Sequence, residues 1–342
     1  MSISRLLVVG GGSVGERHIR CFLKVRPRLR VELCEPRRER AVELLSRYPL
    51  VTVHPDFAGV DLSRFDAAVL ATPAKGHVAQ ATELAAQGRH VLIEKPLCVS
   101  AGERSQVRAL IRAARKNQVV AGVGYTYRSY PLLVRMAKQV SEEGKLGKPF
   151  LARVTMAYYY PDYRRDYRRN YFARPKTGGG ALLDIASHAV AYLTGVLGAV
   201  ETVQAETGHL QLKKVPVEDT ALLNLRFRKG ALAQVWASAC QPRRQTEIEI
   251  IGAGGHLRWI NTFDGHNQLG FRRDDRDAGR RARRSRLPPD QPFESQARNF
   301  LAAVEGRERI RTTLAEALHV QEVCWAARRS GRSGRRVRVR GA

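Results

Sequence analysis

Short apolar runs alternate with amphipathic stretches over the first 125 residues. The runs Arg5 to Val9, Arg30 to Cys34, Val51 to Val53, Asp66 to Ala71, His90 to Ile93 and Val119 to Val123 have the length and aliphatic character of buried strands. Between them, Ser13 to Val25, Arg37 to Arg47, Gly76 to Gln87 and Gly102 to Lys116 repeat apolar residues every three or four positions, the pattern of helices that cover a sheet. Strand and helix in alternation predict right-handed crossovers and a doubly wound parallel sheet, an α/β fold of the Rossmann kind.

The pattern changes after about Tyr125. Leu223, Leu225 and Phe227 alternate with Asn224, Arg226 and Arg228, as in an antiparallel sheet with one packed face, and Lys229-Gly230 fits a two-residue hairpin turn with glycine at a positive φ. Phe150 to Tyr160, Val200 to Gln211 and Thr246 to Ile251 read as further strands. Leu132 to Glu143, Ala181 to Leu197, Ser295 to Val304 and Thr313 to Arg329 read as helices. The expectation is a doubly wound Rossmann-type domain over 1–124 and an α+β domain over 125–342 that closes with a helix over 313–329 and a basic tail over 330–342.

Composition adds limits. At 342 residues and 44% hydrophobic, the chain can build two sizeable cores. No stretch approaches about 18 uninterrupted apolar residues, and Ile3 to Val9 runs into glycines, not a leader-type cleavage pattern, so a soluble cytoplasmic protein with no membrane partner is expected. Cys21, Cys34, Cys98, Cys240 and Cys324 are scattered, with no C-x-x-C spacing, which predicts free thiols and no metal site. The formal charge of +27, from 59 basic and 32 acidic side chains, raises nucleic acid or an anionic surface as partners. No helix-turn-helix, zinc-finger or RNA-binding motif accompanies it. Much of the excess lies in two segments: Arg272 to Arg286, read as a solvated loop with eight arginines and three aspartates, and the tail from Arg328, with seven more. No specific nucleic-acid partner is therefore expected.

The first candidate chemistry is a glycine turn. Gly10-Gly11-Gly12-Ser13-Val14-Gly15 follows a strand and opens a helix. In G-x-G-x-x-G, Gly10 permits the tight turn, Gly12 lets a pyrophosphate approach the backbone, and Gly15 lets helix and strand pack closely, while the helix N-terminus offers N–H groups to phosphate. Glu35 follows the second strand, twenty residues beyond Gly15, where a carboxylate accepts the hydroxyls of an adenosine ribose. A carboxylate there repels a 2′-phosphate and favours NAD; Arg37 and Arg38, just behind it, keep NADP open.

Two more elements carry charge at informative places. Lys95 ends the strand-like run His90 to Ile93 within Glu94-Lys95-Pro96, at the carboxyl end of a parallel sheet, where ligands of such folds bind. Gly178-Gly179-Gly180 precedes a helical run in which Asp184 and His188 stand four residues apart, on one helix face.

These pieces together resemble the Gfo/Idh/MocA family of nicotinamide-dependent oxidoreductases along nearly the whole chain. The matching residues are the glycine turn with His18, Ala71-Thr72-Pro73 followed by His77, Glu94-Lys95-Pro96, Gly124-Tyr125-x-x-Arg128, and Gly178-Gly179-Gly180-x-x-x-Asp184-x-x-x-His188. The resemblance implies a Rossmann domain followed by a domain with an open, mostly antiparallel sheet used for dimer or tetramer contacts. It implies Lys95, Asp184 and His188 as the catalytic group, Thr72, Pro73, His77 and Glu94 along the cofactor, and Arg128 at the substrate. The side chains suit such chemistry. A neutral imidazole at His188, with an ordinary pKa of about 6.5, can take the proton of a secondary alcohol as hydride leaves; an ammonium at Lys95 can hold the reacting oxygen; Asp184 can orient the histidine. Ala191 stands where family members commonly carry an acidic residue, so substrate specificity does not transfer directly.

The segment Ala157 to Lys176 is rich in tyrosine and arginine and leads into the glycines. Phenols and guanidiniums suit hydroxyl-rich or anionic ligands, and Tyr160, Arg169 and Tyr171 are the candidate substrate contacts. A sugar, a sugar acid, a nucleotide-linked sugar or a cyclitol fits. Two other readings stand beside the dehydrogenase: a redox-neutral glycosidase that retains its NAD, and a non-catalytic anion-binding protein on the same fold.

Overall fold

The computed structural model describes residues 3–48, 52–141, 144, 146–262, 265–273 and 283–341. The first part of the chain runs β1 (Arg5–Val9), α1 (Ser13–Val25), β2 (Arg30–Cys34), α2 (Arg38–Arg47), β3 (Thr52–His54), β4 (Ala67–Leu70), α3 (His77–Ala86), β5 (His90–Ile93), α4 (Arg104–Lys116) and β6 (Ala121–Val123). The second part runs α5 (Pro131–Ser141), β7 (Pro149–Tyr159), the single turn α6 (Tyr160–Tyr163), α7 (Ser187–Leu197), β8 (Val200–Gly208), β9 (Thr220–Phe227), β10 (Leu232–Ser238), β11 (Cys240–Gly252), β12 (Gly255–Asn261), β13 (His266–Arg272) and β14 (Arg283–Arg286). It ends with α8 (Gln291–Val304), α9 (Leu314–Ser333) and β15 (Val337–Arg338).

Two compact units result: residues 1–129 with 290–318, and residues 130–289 with 319–342. A boundary at 124/125 misses the return of 290–318 to the first unit. The cause is packing. Phe300 of α8 is fully buried edge-on against Phe22 of α1, with ring centroids 6.2 Å apart, and Ala297 and Leu301 join the same core as Leu6, Val8, Ile19 and Val69. Ion pairs follow the seam: Arg20 Nε to Asp290 at 2.7 Å and Lys24 Nζ to Glu294 at 2.6 Å. The amide of Val123 donates to the Thr312 carbonyl at 3.0 Å, and a Cβ on Gly122 would sit 2.4 Å from Ile310 Cγ1, so glycine is what lets the returning chain lie against β6.

Among the described residues, the first unit holds a six-stranded sheet in the order β3-β2-β1-β4-β5-β6, parallel throughout. The order reverses between β1 and β4, and ligands of doubly wound sheets bind at such a reversal, above the strands' carboxyl ends. This is the expected Rossmann arrangement, with Ser13–Val25 and three of the strands starting and stopping where the sequence pattern places them.

The second unit's sheet has nine described strands in the order β14-β13-β12-β11-β7-β10-β9-β8-β15. Every adjacent pair is antiparallel except β7 and β10, which pair in parallel. Burial alternates strictly along β9, as the apolar alternation requires. Gly230 does take a positive φ of +93°, but in a loop of three residues, Arg228 to Gly230, because Phe227 N donates to Ala231 O and closes the ladder one step later than a two-residue turn would. The expectation of a solvated loop over Arg272 to Arg286 is corrected in part. Residues 274–282 lie outside the described residues, and Arg283–Arg286 form the edge strand β14 on β13. An edge strand needs a hydrogen-bonding neighbour on one side only, and charged side chains there discourage further strands from adding. The run Pro175–Leu197 is long and apolar enough on average to cross a membrane, and 78% of its most apolar stretch is buried, as in a core helix.

Phe300→Ala should destabilise the protein by about 3 to 5 kcal/mol through the cavity left against Phe22. Chemical denaturation of the variant measures this, and a loss under about 1 kcal/mol would show that α8 does not complete the first core.

Candidate active site

In the first unit the site begins at the turn after β1. Gly10 has φ +97°, and a Cβ there would meet the Ala71 carbonyl oxygen at 2.7 Å. A Cβ on Gly15 would lie 1.8 Å from the Gly10 oxygen, so α1 starts in direct contact with the turn. Gly12 is the N-cap residue of α1 and offers no side-chain cap, and nothing lies within 4 Å of a Cβ built on it. The first N–H groups of the helix, at Ser13 and Val14, are thus left for a ligand oxygen, with open approach over Gly12.

Glu35 is 3% exposed and accepts the Gly11 amide at 2.7 Å. Arg37 also donates to it, through its own amide at 3.0 Å and through its guanidinium, Nε at 2.7 Å and Nη2 at 2.9 Å, a bidentate pair. Burial works against the charged carboxylate, but the donors from Arg37 and from Gly11 outweigh it and hold Glu35 below the usual carboxylate range. Arg37 therefore stands on the Glu35 carboxylate itself, the group expected at the ribose. Arg40, which the sequence pattern does not mark, braces the same turn by donating Nε to the Gly11 carbonyl at 2.7 Å.

The loop after β4 is organised by His77. This residue is 1% exposed, with Nε2 2.8 Å from the Thr72 carbonyl and Nδ1 3.0 Å from the Pro96 carbonyl. It ties the Thr72-Pro73 loop to Glu94-Lys95-Pro96. Burial pushes its pKa down, against the two carbonyls that push it up. Thr72 donates its hydroxyl to Gln80, and Pro73 is exposed. Glu94 is held by the fully buried His18, Nε2 to Oε1 at 2.7 Å. Lys95 follows, half-buried, its amide 3.3 Å from Glu94 Oε2. Arg128, expected at the substrate, is buried in this unit and donates to the Arg311 carbonyl and, at 3.0 Å, to Glu316. Those bonds tie the turn after β6 to the start of α9.

In the second unit, Gly178 and Gly180 take positive φ, +84° and +94°, and a Cβ on Gly179 would stand 2.1 Å from the Phe172 carbonyl oxygen. The triplet folds tightly onto the tyrosine-rich segment and delivers the chain into a π-helical turn, Leu182–Ala186, just ahead of α7. Such turns are rare and concentrate at functional sites. Asp184 lies in it, 6% exposed, and accepts a short hydrogen bond from the Tyr171 hydroxyl. Burial and the Asp184 charge push the Tyr171 phenol well above its ordinary pKa, so it stays a donor. His188, half-buried, comes one turn later in α7. Of the other expected substrate contacts, Tyr160 is buried and stacks on Phe172 with centroids 4.2 Å apart, while Arg169 is exposed.

Comparison with known proteins places these two halves. Residues 4–125 match the family model described as an oxidoreductase family with an NAD-binding Rossmann fold, and residues 134–258 match that of the GFO/IDH/MocA C-terminal domain. The chain belongs to the Gfo/Idh/MocA family. Its relatives within that family include the 1,5-anhydro-D-fructose reductase of Ensifer adhaerens, 31% identical over 193 residues, a match that spans 56% of each chain. The levoglucosan dehydrogenase of Pseudarthrobacter phenanthrenivorans is 28% identical over 306 residues, 79% of this chain and 77% of that one. The crystal structure of GenD2 from gentamicin A biosynthesis, in complex with NAD, superposes with a TM-score of 0.80 at 28% identity and covers 99% of this chain and 97% of that one. As a Gfo/Idh/MocA oxidoreductase, this chain carries its NAD-binding domain in the first unit, and the uncapped α1 terminus with Glu35 beside it is the geometry that fits a dinucleotide.

Two predictions follow from the first unit. Glu35→Ala should remove the negative charge and release Arg37 toward a 2′-phosphate, shifting the ratio of NADP to NAD affinity upward by about tenfold, and adding Arg37→Ala should cancel most of that gain. Calorimetric titration of the single and double variants reads this directly; an unchanged ratio in Glu35→Ala would remove Glu35 from ribose recognition. For His77, the folded-state pKa lies below the free value of 6.5, so the unfolded chain binds the proton first on acidification. Stability is complete above about pH 6.5 and falls below it, and Tm measured at pH 7.5 and 5.5 should drop less in His77→Gln than in the parent.

Proposed function

We propose that the protein is an NAD-dependent dehydrogenase or reductase acting on a secondary hydroxyl or carbonyl of a sugar, a sugar derivative or a cyclitol. The observation that carries this reading is the buried Asp184 carboxylate, held by the Tyr171 hydroxyl in a π-helical turn one turn ahead of His188. NAD, when bound to the first unit, supplies the hydride chemistry. The chain's residues manage the proton and the oxygen. His188 takes the hydroxyl proton in oxidation and returns it in reduction, and Asp184 holds the imidazole and favours its protonated form once it has accepted. The Lys95 ammonium donates to the reacting oxygen and stabilises the negative charge that develops there. Tyr171 regulates how much of the Asp184 charge His188 feels. The names of the relatives, an anhydrofructose reductase and a levoglucosan dehydrogenase, support a sugar-like substrate. The arginines between Tyr163 and Arg174 favour one that carries an anionic group. The working form in this reading is a cytoplasmic homodimer or homotetramer without a nucleic-acid or membrane partner.

The test begins with an NADH-fluorescence screen across sugars, sugar acids, nucleotide sugars and cyclitols. On the substrate found, His188→Ala and Lys95→Ala should each lower turnover by about a hundredfold or more and leave NAD affinity within about twofold. Near-parental turnover in either would overturn the assignment, and product formation without net NADH would point instead to redox-neutral bond cleavage. Tyr171→Phe should retain activity but move the acidic limb of the kcat/KM profile to higher pH, because the full Asp184 charge then raises the pKa of His188.

A further inference from the structure

One buried group near the dinucleotide site is used by nothing in the fold. Gln296, on α8, is 6% exposed, and neither its Oε1 nor its Nε2 has a hydrogen-bond partner among the described residues. Buried side-chain amides are almost always satisfied, so an amide left open at both ends calls for a ligand or another explanation. The helix handles its other buried amide in the ordinary way. Asn299 donates Nδ2 to Glu308 at 2.8 Å and to the Arg309 carbonyl at 2.9 Å, and accepts the Arg311 amide at 3.0 Å.

The position of Gln296 narrows what the ligand is. A Cβ built on Gly124 would lie 2.9 Å from Gln296 Nε2 and 2.9 Å from Glu94 Oε1. Glutamine amide and glutamate carboxylate therefore converge over one glycine, at the carboxyl ends of β5 and β6. Glu94 is not free to turn toward the glutamine, because His18 holds its Oε1 at 2.7 Å, and His18 is itself wedged edge-on against Phe293 with centroids 5.4 Å apart. In the sheet order, β5 is three places from β2 across the reversal point between β1 and β4. Glu35, at the end of β2, marks the adenosine side. A dinucleotide with its pyrophosphate over the glycine turn extends its second nucleoside toward β4 and β5.

We propose that Gln296 reads the carboxamide of the nicotinamide. The inference rests on the dinucleotide reading of the first unit and adds to it a residue that the glycine and carboxylate motifs do not include. A primary carboxamide presents one carbonyl acceptor and one NH2 donor, and a glutamine side chain presents the complementary pair, so the two exchange hydrogen bonds edge to edge. The exchange satisfies both open atoms of Gln296 with one group.

The test compares binding of three probes to the full chain: NADH, ADP-ribose, which lacks the nicotinamide, and the 3-acetylpyridine analogue of NAD, whose methyl ketone keeps the acceptor and lacks the donor. Gln296→Leu should weaken NADH by about tenfold, leave ADP-ribose within about twofold, and lose most of the parent's discrimination between NAD and the acetylpyridine analogue. Its Tm without ligand should be equal to or above the parent's, because the substitution removes a buried amide that has no partner. Equal weakening of NADH and ADP-ribose, or unchanged NADH affinity, would overturn the proposal. If Gln296→Leu does not fold, Gln296→Glu supplies the same readout at nearly the same volume, since a carboxylate accepts but cannot donate to the carboxamide oxygen. Failure of the parent to bind either NADH or ADP-ribose would instead overturn the dinucleotide reading beneath it.

Discussion

The contact between Gly15 and the Gly10 carbonyl sets the position of α1, and most of the first unit is arranged around that helix. With 1.8 Å between the Gly10 oxygen and the place a Cβ would take, no other residue lets α1 start so close to β1. Everything the helix carries then falls into place in successive turns. Its N-terminus is left without a side-chain cap, His18 reaches Glu94 at the end of β5, and Phe22 closes on Phe300. Arg20 and Lys24 pair with Asp290 and Glu294. A single steric constraint thereby connects the cofactor turn to a segment nearly three hundred residues away in sequence, and the same connection brings Gln296 to the far end of the proposed dinucleotide site.

The second unit solves a different problem, which is to give an interior carboxylate a donor. The glycine triplet allows the tyrosine-rich segment to lie against the entry to α7, and the π-helical turn places Asp184 under the Tyr171 hydroxyl. Tyr160 and Phe172, stacked in the core, anchor the segment that carries Tyr171. Aromatic residues that look alike in sequence thus divide into a stacked pair and a hydroxyl donor to Asp184. Which ring does which is decided by the direction each faces after folding.

The large positive charge also divides by position. Many arginines are spent on the chain's own acids: Arg40 and Arg47 on Glu16, Arg17 and Arg20 on Asp290, Arg26 and Arg307 on Glu305. The more exposed of these pairs, such as Arg47 with Glu16 and Arg307 with Glu305, add little stability. The two basic segments have a clearer use. Arg283–Arg286 and Val337–Arg338 provide β14 and β15, the two edges of the nine-stranded sheet, where charge discourages a further strand from pairing.

Local and periodic features were legible without a structure. The parallel sheet, the glycine turn, Glu35, and the spacing of Asp184 and His188 all follow from short-range patterns, because backbone sterics and 3.6- or 2-residue periodicity act over a few residues. Partnerships between distant residues were not. That Arg37 caps Glu35, that His77 braces two loops, that Arg128 holds the start of α9, and that residues 290–318 belong with the first core depend on which side chains meet once the sheets and helices have packed. Sequence by itself determined the kinds of element and the residue types able to do the chemistry; tertiary structure decided which of those residues are engaged by neighbours and which are left open, because hydrogen-bond satisfaction in a packed interior is settled by long-range contacts that no local pattern encodes.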